Sequence, residues 1–196
     1  MQQIKSAAIL LLIITIITGC LYPLLITVIA QLCFPWQANG SLIYQNQQII
    51  GSKLIGQNFQ STQYFWGRVS RTNNFPYNAT DSEGSNLGPS NPKLLELIQQ
   101  RIDQLNQYNT IKTTLVPIDL VTASASGLDP EISPLAAIYQ APRIANARHI
   151  PEQQVHGLIY KHITPRTFAL LGEPRVNVLE LNLALDNELP NATPQS

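Results

Sequence analysis

From residue 4 to residue 34 the chain is almost continuously apolar. Residues 9–17 read Ile-Leu-Leu-Leu-Ile-Ile-Thr-Ile-Ile, and the run resumes after Gly19 and Cys20. No charged residue lies between Lys5 and Lys53. A helix crossing the hydrocarbon core of a bilayer needs about 20 apolar residues, so this run predicts a transmembrane helix within residues 1–34. A cleaved signal peptide has a shorter apolar region. A lipoprotein is a sharper alternative, because Ile17-Thr18-Gly19-Cys20 resembles a lipobox. The apolar residues beyond Cys20 favour the uncleaved anchor. Pro23 removes one helical hydrogen bond and predicts a kink, while Gly19 and the small residues Ser6, Ala7 and Ala8 would let a neighbouring helix approach. Phe34 and Trp36 suit the far interface. Lys5 and the terminal amine favour a cytoplasmic N-terminus, which places the rest of the chain outside the cytoplasm.

Past the span, three short β-favouring runs are predicted as strands: Leu42-Ile43-Tyr44, Gln48-Ile49-Ile50 and Leu54-Ile55. Residues 67–91 are rich in Ser, Asn, Thr, Gly and Pro and read as a long ordered loop, docked through Phe75 and Tyr77. A helix is predicted over 92–107. Asn91 caps it, Pro92 starts it, and Leu94, Leu95, Ile98, Ile102 and Leu105 form its apolar stripe, with Gln99, Gln100, Arg101 and Gln104 facing water. Residues 111–122 read as extended. Ser133-Pro134 opens a helix over 135–140 that Pro142 breaks or kinks before 143–148, and Pro151 opens another over 152–162 with Val155, Leu158 and Ile159 inward. Leucines at 179, 181, 183 and 185 favour a strand over 176–185.

These elements predict an α+β chain: one N-terminal membrane helix, then one small mixed extracytoplasmic domain over 35–186, then a frayed tail from 187. With 196 residues, the part beyond the span suffices for one domain. The formal net charge is zero, which argues against nucleic acid as a partner. Both cysteines, Cys20 and Cys33, belong to the span, so the domain is neither a disulfide scaffold nor a thiolate metal site. His149, His156 and His162 lack metal-ligand spacing.

Enzyme signatures are sparse. The chain has no Walker A sequence, G-x-G-x-x-G, H-E-x-x-H or G-x-S-x-G. Ser124, Ser126 and Asp129 share a Gly- and Ser-rich loop with no histidine nearby in sequence. Two dense polar segments remain, 67–92 and 119–130, and their low charge suits a partner surface or a hydrated-cation path better than acid–base work. The candidate interface residues are Tyr22 and Pro23 in the span, Arg68, Asn86, Leu87 and Asn91 in the first segment, and Asp119, Ser124, Ser126 and Asp129 in the second. No catalytic or metal-binding residue is assigned.

Several stretches in order along the chain carry a resemblance. They are Tyr22-Pro23-Leu24-Leu25, Gly51-Ser52-Lys53-Leu54-Ile55-Gly56-Gln57, Tyr64-Phe65-Trp66-Gly67-Arg68, residues 84–91, 119–124, 126–130, and 171–179. Together they resemble the C subunits of the bacterial Kdp potassium-transporting ATPase. Val69, Ala125, Glu131 and Pro142 depart from that family's pattern. The resemblance implies a complex with a channel-like potassium-binding subunit, a P-type ATPase subunit and a very small peptide, in a bacterial plasma membrane. ATP hydrolysis would belong to the P-type subunit, and potassium and ATP would be handled by the complex, with no cofactor on this chain. It implies an accessory, non-catalytic role at the outer potassium entrance. A role as an ATP-binding helper is the alternative, opposed by a domain outside the cytoplasm.

Overall fold

The computed structural model describes residues 2–108 and 115–190. The chain divides into two compact units, Met1–Ser52 and Lys53–Ser196.

In the first unit, helix α1 (Gln2–Ile16) runs through a π-helical turn (Ile17–Leu21) into α2 (Tyr22–Cys33). The wide turn has a local cause. Pro23 lacks an N–H, and its ring would press on the carbonyl four residues back, at Gly19. The backbone opens instead, and the Tyr22 N–H donates to Ile17 O, five residues behind. The predicted kink therefore takes the form of a π-turn just ahead of the proline. Thr18 and Thr27 donate their hydroxyls to Ile14 O and Pro23 O at 2.7 and 2.8 Å, so neither leaves a bare polar group on the apolar surface. The whole run Gln2–Cys33 spans 32 residues and is long and apolar enough to cross a membrane. None of its residues is buried within the chain. Helix α3 (Pro35–Ala38) follows, then an antiparallel hairpin of β1 (Leu42–Gln45) and β2 (Gln48–Ser52). Asn46 and Gln47 turn it with φ of 50° and 64°, the left-handed pair that matches strand twist.

The second unit contains α4 (Pro92–Tyr108), α5 (Ile118–Val121), β3 (Glu131–Ile132), α6 (Pro134–Arg148), α7 (Glu152–Lys161), β4 (Val176–Asn177) and α8 (Val178–Glu188). β3 and β4 pair antiparallel. α7 packs on α6 and α8, and Ile144, Val155, Ile159, Leu181 and Leu185 are fully buried between them with Phe65.

Several expectations are corrected. Leu54-Ile55 lies in a turn, not a strand. Residues 118–121 form α5 rather than extended chain: Pro117 sits at its N-cap, and Asp119 in its first turn accepts the Ser133 N–H at 2.7 Å. Residues 111–114 of that expected extended run lie outside the described residues. α6 continues through Pro142 without a break. Proline inside a helix costs about 3 kcal/mol, but Ala137, Ala141, Ile144, Ala145 and Arg148 are buried on both sides of it, and splitting the helix would expose that face. Val178 to Leu185 is helix, not strand. Asn177 caps it by accepting the Glu180 N–H at 3.0 Å, and Val178, Leu181, Asn182 and Leu185 form the buried face. Helical spacing wins because Asn182 occupies an inward position and finds partners there. Phe75 is exposed rather than docked. Of the expected frayed tail, Asn187 and Glu188 continue α8, and residues 191–196 lie outside the described residues.

Candidate functional site

The second unit is built around a strip of backbone, residues 62–66, that leaves a turn at 62–64 and is held by side chains rather than by a sheet. Asn182 and Gln140 supply what a neighbouring strand would supply. Phe65 N–H donates to Asn182 Oδ1 at 2.8 Å and Phe65 O accepts from Asn182 Nδ2 at 3.0 Å. Trp66 N–H donates to Gln140 Oε1 at 2.8 Å and Trp66 O accepts from Gln140 Nε2 at 3.1 Å. Arg143 donates to the carbonyls of Thr62 and Tyr64 and stacks 4.4 Å from the Trp66 ring. Burial, and after it the charge of Arg101, pushes the Arg143 guanidinium down to about 10. Sequence reasoning missed Gln140, Asn182, Arg143 and Arg148. The available signal was a polar side chain at an inward helical position, as Asn182 is among Val178, Leu181 and Leu185. Arg101, expected to face water, instead lies against Trp66 at 5.3 Å and donates to Leu120 O at 3.1 Å.

This strip presents Gly67 and Arg68 to the second polar segment, and the two predicted segments meet. Arg68 Nη1 reaches Asp129 Oδ2 at 3.0 Å, and Nη2 donates to Ala123 O at 3.3 Å. Val69 and Ala123 form a parallel bridge in which Ser124 N–H donates to Val69 O at 3.2 Å. Ser70 donates to Gly127 O at 2.7 Å, and Ser82 donates to Ser126 O at 2.9 Å. Gly127 is required here. Its φ is 69°, and a Cβ would meet Glu83 O at 2.5 Å.

Arg68, Ser124, Ser126 and Asp129 are thus brought together, and Asp119 lies near them across a groove. The groove has a volume of about 520 Å³ and is lined by Arg68, Ile118, Asp119, Asp129, Leu135 and Arg175, among others. Ile118 and Leu135 are 74% and 70% exposed at its mouth. Glu131, where the resemblance fails, pairs with Arg175 at 2.9 Å and ties β3 to β4. Asn86 is exposed with φ of 52°, and Leu87 is half-buried; neither is part of the junction. Asn91 accepts the Lys93 N–H at 3.0 Å and caps α4. Tyr22 and Pro23 belong to the first unit. The groove offers two ion pairs, Arg68–Asp129 and Arg175–Glu131, two proline rims and an exposed aliphatic pair.

Tyr77 locks the junction. Its hydroxyl donates to Arg68 O at 2.6 Å, and its oxygen lies 2.6 Å from where a Cβ on Gly67 would sit. Burial pushes the phenol up to about 12 from 10.0. Between these values the folded state keeps a proton that the unfolded chain has lost, so stability falls as pH rises through that window. Tyr77→Phe is expected to be about 1 kcal/mol less stable than the parent near neutrality, from the lost hydrogen bond. The parent, unlike the variant, then loses about 2 kcal/mol as pH climbs from about 10 to about 12, so the two unfolding curves should cross. Urea titrations of both proteins across that range check this.

Residues 4–187 match the family described as KdpC: K+-transporting ATPase, c chain. Relatives bearing the name potassium-transporting ATPase KdpC subunit are close. That of Herpetosiphon aurantiacus is 57% identical over 176 residues, covering 90% of this chain and 91% of its own. That of Paraburkholderia phytofirmans is 54% identical over 174 residues, covering 89% and 91%. That of Burkholderia mallei is 56% identical over 170 residues, covering 87% and 88%. With the match running from the apolar helix through α8, the chain belongs to the KdpC family, the c chains of potassium-transporting ATPases.

Proposed function

We propose that the chain is a non-catalytic accessory subunit of an ATP-driven potassium import complex, holding a channel-like potassium-binding subunit and a P-type ATPase subunit together. The helix Gln2–Cys33 anchors it in the plasma membrane with its N-terminus in the cytoplasm, and the second unit stands outside, beside the potassium entrance. The observation that carries this reading is the family match over residues 4–187. The exposed apolar helix supports the anchor: no residue of Gln2–Cys33 is buried, so it needs lipid or another helix. The groove at Arg68 and Asp129 supplies a protein-binding surface. ATP hydrolysis and the coordination of potassium stay with the partners.

Two measurements test this. A chain beginning at residue 35, expressed without export in a strain lacking the native gene, should not restore growth at low potassium, whereas the full chain should. Restoration by the truncated chain would contradict the reading. Protease added to intact spheroplasts should remove a C-terminal epitope; an epitope lost only after lysis would place the domain inside.

A further inference from the structure

The chain has a second cleft, of about 290 Å³, between the 57–77 segment and α4, lined among others by Asn58, Trp66, Arg71, Tyr77, Gln100 and Arg101. Its charge is one-sided. Three arginines line it, Arg68, Arg71 and Arg101, and no carboxylate does. Asp129 neutralises Arg68. Among the described residues, Arg71, Arg101 and the nearby Arg143 take part in no ion pair. Arg101 and Arg143 both lie against the buried indole of Trp66, at 5.3 and 4.4 Å. Among the described residues, Arg101 donates to Leu120 O and to Gln104 Oε1 at 2.6 Å, both uncharged. Burial, and the charge of Arg71 beyond it, holds Arg101 below its ordinary value. Charges withdrawn from water are normally paired; here Arg101 in the lining and Arg143 behind Trp66 are withdrawn from water with no counter-charge among the described residues, and the exposed Arg71 adds a further unpaired guanidinium at the cleft.

We infer that this cleft receives the carboxylate of an aspartate or glutamate on a loop of another subunit, an inference that rests on the assembly reading above. A planar, two-oxygen acceptor suits a guanidinium fork. The remaining lining favours a peptide over a phosphate. Asn58, Gln60, Gln100 and Gln104 carry carboxamides that both donate and accept, matching a peptide backbone around the acidic side chain, whereas a phosphate offers acceptors alone.

The test uses Arg71, which is exposed and makes no structural hydrogen bond among those described. The full tagged chain is co-expressed with the other subunits and purified in mild detergent at stepped salt. Arg71→Glu should retain about tenfold less partner than the parent, since like charges face each other in the contact, and Arg71→Lys should retain most of it. Urea unfolding confirms that Arg71→Glu is folded. If the parent carries no partner, the assembly reading fails. If the parent carries partner and Arg71→Glu carries as much at every salt step, the carboxylate contact alone is overturned. A saturable change in Trp66 fluorescence with added pyrophosphate, lost in Arg71→Glu, would assign the cleft to a free phosphate ligand and also overturn it.

Discussion

Truncating Arg148 to alanine should cost the second unit about 3 kcal/mol, from carbonyls left without their donor and from lost packing. The Arg148 side chain is 1% exposed. Nε donates to Gln63 O at 2.9 Å, Nη1 to Leu189 O at 3.1 Å, and Nη2 to Asp186 Oδ1 at 2.6 Å, while the guanidinium lies 5.0 Å from the Tyr64 ring. It therefore fastens the end of α8 and the start of the 62–66 strip to α6 at one point. The ion pair is the weaker part, because the Asp186 side chain is 42% exposed and solvent screens it. The hydrogen bonds to carbonyls and the packed stem carry most of the effect. Arg148→Lys should recover only part of the loss, since an ammonium cannot reach three acceptors spread over a planar fork. Urea unfolding of the full chain in detergent, followed by Trp66 in a Trp36→Phe background, reads both variants. A loss under about 1 kcal/mol for Arg148→Ala would show that α6 and the strip hold together without it.

Asn182→Leu should cost about 3 kcal/mol by a different route. Leucine shares asparagine's branched four-atom skeleton but is bulkier, so some overpacking at this buried position adds to the loss. Beyond that, Phe65, fully buried, loses the partner of both its N–H and its C=O, and each orphaned buried group costs about 1–3 kcal/mol. Asn182→Asp separates the two halves. It keeps the acceptor for the Phe65 N–H but buries a charge opposite the carbonyl, so it should be worse than leucine at neutral pH and should improve as acid protonates it. The same urea assay checks the order. An Asn182→Leu protein as stable as the parent would mean that the strip is held by apolar packing alone.

These two residues also show where the sequence was opaque. The apolar helix, the β1–β2 hairpin, α4 and α7 follow from local patterns, since each is settled by neighbours in sequence. α8 does not. Alternate leucines at 179, 181, 183 and 185 imitate a strand, and the helical face is disguised because one of its inward positions is Asn182. That asparagine belongs there only because Phe65 needs it, 117 residues away in sequence. α6 is hidden in the same way: local rules stop a helix at Pro142, and the buried residues on either side override them. The junction was legible as two polar segments, and the pairing of Arg68 with Asp129 was not, because nothing local links positions 61 residues apart. Asn91 and Asp119, interface candidates on sequence grounds, make capping and bracing bonds within the chain.

On the function proposed above, this chain works as one part of a potassium-transporting assembly, anchored by its first helix. The direct measurement is purification of the tagged full chain from its own membranes in mild detergent, with identification of what accompanies it. A channel-like potassium-binding subunit and a P-type ATPase subunit, in fixed ratio to the chain and lost when residues 2–33 are deleted, are the predicted companions. A chain that leaves the membrane alone, or keeps the same companions without its helix, would contradict the account.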